Sequence, residues 1–132
     1  YPWGNLLECT YANYLDVGET QCFVTGDTTP VDKYIKGVSP FGVYGLVGNV
    51  WEWVNDWYDQ DYYKKSPNRN PKGPETGTQK AFRGGGWMDS TTTMRAAMRN
   101  GTDPKTKINW MGFRCAQDAK EDAGAKVSMA KE

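Results

Sequence analysis

The sequence predicts one small domain of short β-strands and turns with very little helix. Its 132 residues fit a single domain, near the lower end of the sizes that bury a good core unaided. With 6 Trp, 8 Tyr and 4 Phe, aromatic side chains take the place of scarce aliphatic ones in that core. The 15 Gly and 7 Pro indicate frequent turns between short elements.

The first 40 residues contain turn-forming residues throughout and no sustained helical period. Glycines and prolines recur from Pro2 to Pro40. The run TTPVDKY, Thr28 to Tyr34, predicts a short extended segment that is entered through a proline turn. This part of the chain is therefore expected to contribute loops to the fold.

The run GLVGNVWEWVNDWYDQDYY, which begins at Gly45, predicts a β-strand. Val50 to Val54 is rich in β-forming residues, and alternation places Trp51 and Trp53 on the same face. Gly45 and Gly48 just before it indicate a bulge or a close approach of another backbone. The tryptophans can form a binding surface or a buried core, and we favour the core because buried aromatics dominate small irregular folds.

The second half of the chain predicts a long loop and three short elements. Lys64 to Gln79 has no aliphatic side chain and reads as a surface loop. Ala81 to Trp87 predicts a strand whose three glycines let another backbone or a ligand come close. Met94 to Asn100 predicts one or two helical turns stopped by Gly101, and the run NWMGFRCA returns to β composition.

Charge, hydropathy and residue counts exclude several classes of function. The 16 basic and 16 acidic residues cancel, so no net field attracts nucleic acid or an anionic membrane. No apolar run approaches the roughly 20 residues that span a bilayer. The absence of histidine excludes a histidine metal site, a Ser-His-Asp triad and a Cys-His pair built from this chain alone. Three cysteines allow at most one internal disulfide.

Seven sequence segments occur in the order of one known family. They are YPWGN, TTPVDKY, YGLVGNVWEWVNDWY, YYKKSPNRNPKGP, FRGGGW, MRAAMRN and MGFRCA. Together they resemble the formylglycine-generating-enzyme, or sulfatase-modifying-factor, family over residues 1–117. The resemblance implies a single α+β domain of the C-type-lectin-like type, poor in regular secondary structure. Residues 118–132 follow as a charged tail that we expect to be flexible.

The resemblance also implies that the chain is the C-terminal two-thirds of a domain. Family members carry a helical third ahead of the YPWGN segment, and none precedes Tyr1 here. We therefore expect a separate segment or chain to complete the domain. The resemblance favours a periplasmic, secreted or cell-surface location.

Two calcium sites are implied by the resemblance. Carried onto this chain, the first uses a side-chain oxygen at position 45, the carbonyls of Gly48 and Val50, and the Glu52 carboxylate. Position 45 is glycine, so that ligand is lacking, although calcium takes six to eight oxygen ligands. The second site uses the Asn13 amide, the Tyr14 carbonyl and an acid. Asp16 and Asp27 are the two candidates for that acid.

Active family members bind copper(I) through a pair of cysteines and use oxygen to form formylglycine. The first cysteine position falls at or near Asp89, and the second falls within Ser90 to Met94, which holds no thiol. Copper(I) requires soft ligands such as thiolates, so we expect no copper here. The resemblance gives Cys115 a structural role, paired with a cysteine upstream of this chain.

The function that we expect is recognition or scaffolding without catalysis, through the segment from Trp87 to Trp110. Polar side chains there alternate with rigid aromatic ones, as they do in binding loops. The predicted ligand-binding residues are Trp87, Asp89, Ser90, Thr92, Arg95, Arg99 and Trp110. An ordinary solvated loop is the competing interpretation of this segment.

The arginines allow two interpretations. Arg95 and Arg99 share a face if the segment is helical, and with Arg83 and Arg114 they can pair with acids or loop carbonyls. Alternatively, they form an anion or peptide-carboxylate pocket beside Gly84 to Gly86.

Two other functions stay open at this stage. One is an oxygen-dependent oxidase of the same family that modifies a protein or metabolite with different metal ligands. The other is a purely structural chain that completes a larger fold.

Overall fold

A computed structural model describes residues 1–15 and 26–117. Its regular elements are β1 (Trp51–Trp57), β2 (Lys80–Arg83), β3 (Arg99–Thr102) and β4 (Met111–Gly112), with single-turn 3₁₀ helices at Ile35–Gly37 and Tyr62–Lys64. Turns and irregular segments make up the rest of the described chain. The prediction of a domain poor in regular secondary structure is confirmed. No helix in these residues is long and apolar enough to cross a membrane.

The four strands form one mixed sheet in the order β3-β2-β1-β4. β2 pairs antiparallel with both β1 and β3, whereas β4 pairs parallel with β1. Glu52 lies opposite Arg83, and Arg83 lies opposite Arg99 in turn. Directly opposed residues project from the same face of a sheet, so these three side chains share one face.

The tryptophans of β1 pack against the neighbouring strand. The rings of Trp51 and Trp53 meet the ring of Phe82 edge-on, with centroids 4.9 and 5.9 Å apart. Trp51 and Phe82 are both buried. The alternation that places the two tryptophans on one face is therefore confirmed, and edge-to-face contacts of this kind stabilise the sheet beyond the area they bury.

A second part of the core is built from loops. Ala12, Tyr14, Val47 and Met94 form a buried cluster, and Met94 has no exposed surface. A Cβ at Gly85 would lie 2.5 Å from the Met94 sulfur, so only glycine fits there. The loop that ends near Met94 is thereby fixed to the N-terminal segment.

Gly48 brings three backbone segments together. It has a φ of +79°, and its N–H donates to the Gly84 carbonyl at 2.9 Å. A Cβ added at Gly48 would lie 2.5 Å from the Asn13 carbonyl oxygen. The close backbone approach predicted from this glycine is confirmed.

Asn49 continues the same turn with a φ of +67°. Its N–H donates to the Asn13 carbonyl at 2.8 Å, and its own carbonyl accepts from the Trp87 N–H at 2.9 Å. Its side-chain amide bonds both the N–H and the carbonyl of Thr29. Asparagine tolerates positive φ better than most residues, so it suits this position. We call residues 48 and 49 the Gly48–Asn49 turn.

The helical turns predicted at Met94 to Asn100 are wrong. One isolated turn, closed by the Met98 N–H on the Arg95 carbonyl at 2.8 Å, is followed at Arg99 by β3. Gly101 is required because the Tyr58 ring occupies the space of a side chain there, and not because it ends a helix. The local helical signal is overridden by pairing of this segment with β2.

A predicted extended segment and a predicted strand also differ from the structure. The segment at Thr28 to Tyr34 forms a turn, with the Lys33 N–H donating to the Pro30 carbonyl at 3.2 Å. The strand predicted at Ala81 to Trp87 ends at Arg83, because Gly84 and Gly85 take positive φ values. The predicted tail at residues 118–132 lies outside the described residues.

Replacing Gly48 by alanine will strongly destabilise the domain. The Cβ meets a main-chain oxygen that cannot move without displacing Asn13, so we expect a loss of about 2–4 kcal/mol in the free energy of unfolding. Gly42→Ala is the matched control, since Gly42 has a φ of +76° and nothing within 4 Å of the added Cβ. It should cost about 1 kcal/mol. Urea denaturation measures both, and equal losses would contradict the steric argument.

Candidate functional site

An open hollow lies at the edge of the sheet in the predicted binding segment. Trp51, Met88, Asp89 and Trp110 line it, and its volume is about 250 Å³. We call it the Asp89 hollow. Asp89 and Trp110 were predicted as ligand-binding residues, whereas Trp51 and Met88 were not.

The walls of the Asp89 hollow are held by main-chain bonds between distant segments. The Trp51 N–H donates to the Trp110 carbonyl at 2.9 Å, which fixes the second indole beside the start of β1. The Asp89 carbonyl accepts from the Leu15 N–H at 2.9 Å, and its N–H donates to the Gly86 carbonyl at 3.0 Å. The hollow is therefore positioned before any ligand arrives.

The Asp89 carboxylate is the acidic group of this hollow. Its Oδ2 atom accepts the Trp51 indole N–H at 2.6 Å and the Gly86 N–H at 2.8 Å. Hydrogen bonds to a charged acceptor are stronger than those between neutral groups, so the side chain is well oriented. A carboxylate between two indole rings can accept hydrogen bonds from a ligand whose apolar part packs on the rings.

The other predicted binding residues lie around this hollow or away from it. Ser90 and Thr92 share a side-chain hydrogen bond of 2.9 Å, and the Thr92 carbonyl accepts from Arg95 Nε at 3.3 Å. Trp87 is partly buried beneath the segment, with its N–H on the Asn49 carbonyl. These residues form the turn that carries Asp89.

Arg99 lies apart from this group. Its guanidinium stacks on the rings of Tyr58 and Tyr63, at 4.9 and 4.4 Å from their centroids. It therefore shares a face of the sheet with Arg83 and not a helical face with Arg95.

Neither of the two described cysteines lines the hollow. Cys9 is in a disulfide, and Cys115 is a free, exposed thiol. The third, Cys22, lies outside the described residues. Residues 89 to 94, where the resemblance implies the copper thiols, contain no cysteine.

Arg114 occupies the neighbourhood of the first implied calcium site. Its Nε donates to Glu52 Oε2 at 2.6 Å and its Nη2 to Glu52 Oε1, so the carboxylate is held on both oxygens. The same guanidinium donates to the Tyr44 and Gly45 carbonyls at 2.8 and 2.9 Å. A positive charge supplied by the protein thus already neutralises Glu52.

These contacts do not suit a calcium ion at Glu52. Calcium requires several oxygen ligands that are free to turn towards it, and both Glu52 oxygens are taken by Arg114. Position 45 adds no side-chain oxygen, while the carbonyls of Gly48 and Val50 remain as main-chain donors. The donor set of this loop therefore does not fit the implied ion.

The second implied calcium site keeps its hard oxygen donors. The Asn13 Nδ2 donates to the Asp27 carbonyl at 2.9 Å, so these two predicted ligands are neighbours. Asp27 Oδ1 accepts from the Thr28 N–H at 2.6 Å. The Asn13 amide oxygen, the Tyr14 carbonyl and the Asp27 carboxylate are of the type that calcium prefers. Asp16, the other candidate acid, lies outside the described residues.

The comparisons with known proteins agree with the motifs. The family model described as "Sulfatase-modifying factor enzyme 1-like domain" matches residues 1–119. The chain belongs to this family.

Two curated relatives show how the family domain is used in longer proteins. The chain is 36% identical over 122 residues to the serine/threonine-protein kinase pkn1 of Chlamydia caviae, covering 91% of this chain and 18% of the relative. It is 34% identical over 128 residues to the formylglycine-generating enzyme of Bos taurus, covering 89% of this chain and 33% of that enzyme. The chain thus spans 18% of the length of the first relative and 33% of the length of the second.

Solved structures confirm the predicted fold class, α+β and C-type-lectin-like with little regular secondary structure. PvdO from Pseudomonas aeruginosa matches with a TM-score of 0.66 and 25% identity, over 83% of this chain and 40% of that one. Variable protein 1 of Treponema denticola matches with a TM-score of 0.64 and 28% identity, over 79% of this chain and 34% of that one. Helix is represented in the described residues by two 3₁₀ turns alone.

Removing the Arg114 side chain will destabilise the domain by about 2 kcal/mol. The partly buried Glu52 carboxylate accepts hydrogen bonds from Arg114 on both oxygens, and it would lose that partner. A double-mutant cycle with Glu52→Gln, followed by urea denaturation, should give a clear coupling energy. The matched cycle on the exposed pair Lys64 and Asp61 should give less than about 0.5 kcal/mol. Similar coupling in both cycles would show that Arg114 is not a structural partner of Glu52.

Proposed function

We propose that this chain is a non-catalytic recognition domain of the formylglycine-generating-enzyme family that binds a protein or small-molecule ligand at the Asp89 hollow. The observation that carries the proposal is the Asp89 carboxylate, bonded to the Trp51 indole and the Gly86 N–H. It stands at or near the position where the resemblance implies a copper-binding thiol. A carboxylate is a hard ligand and a poor one for copper(I).

The composition of the hollow supports a binding role. Trp51 and Trp110 supply rigid apolar surfaces, and Met88 adds a flexible thioether that adapts to different shapes. Asp89 supplies the one charged acceptor. A ligand that pairs an apolar group with an N–H donor satisfies both features.

The proposal extends to the partner that completes the domain. An apolar groove of about 590 Å³ runs past Trp53, Ala96 and Ala116. Relatives of three to five times this length carry the same domain within a larger protein. We propose that another segment or chain packs on this part of the sheet.

We also propose a periplasmic, secreted or cell-surface location. The disulfide at Cys9 supports it, since disulfides persist in oxidising compartments and are rare in reducing ones.

Binding at the Asp89 hollow is tested with a panel of N-acetyl amino-acid amides, one for each side chain. We expect compounds with cationic or amide side chains to bind most tightly. Binding should shift the indole N–H signals of Trp51 and Trp110 in ¹H–¹⁵N NMR spectra. Asp89→Asn should weaken that binding at least tenfold, which is about 1.4 kcal/mol. Asp103→Asn, an exposed acid further along the chain, should leave it unchanged.

Copper binding and oxygen uptake distinguish the recognition domain from the alternative, an oxidase. For a recognition domain in a Cys115→Ser background, copper(I) titration against a competing chelator should reveal no tight site. Thiol peptides should produce no oxygen uptake above background. Tight copper binding with substrate-dependent oxygen uptake would overturn the proposal. So would ligand shifts that are insensitive to Asp89→Asn.

We further propose that structural calcium is held by Asn13, Tyr14 and Asp27 and not at Glu52. Calcium bound to the folded state alone raises the unfolding temperature, so excess calcium should stabilise the protein relative to EDTA. Asp27→Asn should abolish this difference, whereas Glu52→Gln should preserve it. Calorimetry with and without EDTA makes the measurement, and the reverse pattern would assign the ion to the Glu52 loop.

A further inference from the structure

Arg83 and Arg99 place two like charges side by side on the sheet. They lie directly opposite each other on β2 and β3, so their side chains leave the same face. Like charges in this position repel, and natural sheets usually offset them with an acid. Glu52 is the acid in register with Arg83, but its carboxylate is bound by Arg114.

No described carboxylate forms an ion pair with either arginine. The pairs within residues 1–15 and 26–117 are Lys64 with Asp61, Lys65 with Asp59, and Arg114 with Glu52. Asp59 interacts electrostatically with Arg99 but is itself paired with Lys65, so neither guanidinium group has a carboxylate of its own. A bound anion would remove this repulsion.

Both guanidinium groups are held in place by neutral groups. Arg83 Nη2 donates to the Tyr63 hydroxyl at 2.6 Å, while Nη1 lies 3.5 Å from the Ala96 and Met98 carbonyls. Arg99 Nη2 donates to the Gln60 carbonyl at 2.9 Å. An arginine has five N–H donors, and these are the bonds that the described residues take up. The unused donors are therefore pre-positioned.

Tyr63 links the two arginines. Its hydroxyl accepts from Arg83 while its ring lies 4.4 Å from the Arg99 guanidinium carbon. The Tyr58 ring supports Arg99 from another side at 4.9 Å. Stacking of this kind holds a guanidinium without neutralising its charge. We call this group, with the cavity beside it, the arginine–tyrosine cleft.

The cleft has room for a small ligand. Its cavity is about 160 Å³ and is lined by both arginines together with Trp57, Tyr62 and Tyr63. That is below the range of roughly 300–1,000 Å³ typical of sites for drug-sized molecules. Asp56 also lines the cavity, so the charges sum to one net positive. A single anionic group on a small flat molecule matches these dimensions and this charge.

We propose that the arginine–tyrosine cleft binds a small organic oxyanion, a carboxylate or a phosphate monoester, through Arg83 and Arg99. Guanidinium groups suit such ligands because their paired donors match two oxygens of one anion. The sequence alone allows an anion pocket beside Gly84 to Gly86. In the structure, Arg83 and Arg99 both contact Tyr63, and we place the anion site there. This site is separate from the Asp89 hollow and does not rest on the function proposed there.

The test titrates the whole protein with sodium benzoate, phenyl phosphate and inorganic phosphate at constant ionic strength. ¹H–¹⁵N spectra follow the arginine Nε–H signals and the Gly101 amide. We expect saturable shifts with at least one of these anions, and the stronger binder identifies carboxylate or phosphate as the preferred group. Benzamide, the neutral analogue of benzoate, should bind at least tenfold more weakly than benzoate.

Matched variants assign the effect to the cleft. Arg99→Gln should weaken anion binding at least tenfold, while Lys107→Gln, at an exposed cation that does not line the cleft, should have no effect. Tyr63→Phe removes only the hydroxyl that orients Arg83 and should weaken binding without loss of folding. Equal losses for Lys107→Gln and Arg99→Gln, tight benzamide binding, or shifts that never saturate would each overturn the proposal.

Discussion

The Gly48–Asn49 turn is the constraint on which the rest of the structure depends. Two consecutive residues with positive φ bring the chain within hydrogen-bonding distance of two other segments, one at Asn13 and one that contains Gly84 and Trp87. The Asn49 side chain binds a third, at Thr29. The strands of the described chain comprise only 17 residues. Hydrogen bonds between loop segments therefore satisfy backbone groups that strand pairing satisfies in larger sheets.

The candidate site inherits its shape from that turn. Two residues after Asn49, Trp51 begins β1 and fixes both the Trp110 main chain and the Asp89 carboxylate. Trp87 is joined to the same turn by its backbone. The Asp89 hollow is thus held by contacts next to those that fix the turn, and its acidic group is the Asp89 carboxylate.

Local patterns predicted what depends on neighbours in sequence and missed what depends on distant ones. The tryptophan alternation could be predicted from residues two positions apart, and the close approach at Gly48 could be predicted because the residue is itself a glycine. The hydrogen bond that Asn13 Nδ2 donates to Asn49 Oδ1 and the Arg114 ion pair with Glu52 join residues 36 and 62 positions apart, and neither has a local signature. The predicted helix failed because strand pairing with β2 outweighs a weak helical propensity. The partners of Arg99 could not be predicted either, because Tyr58, Gln60 and Tyr63 are distant from it in sequence.

Met88 and Met94, both in the segment from Trp87 to Trp110, differ in their exposure to oxidants. Met94 has no accessible surface and packs its sulfur against Gly85, whereas Met88 is 53% exposed at the rim of the Asp89 hollow. Conversion of a thioether to a sulfoxide replaces an apolar atom by a polar one and follows accessibility. In protein stored in air, Met88 will accordingly be oxidised before Met94. Such a preparation can remain folded and yet bind ligands differently at the Asp89 hollow.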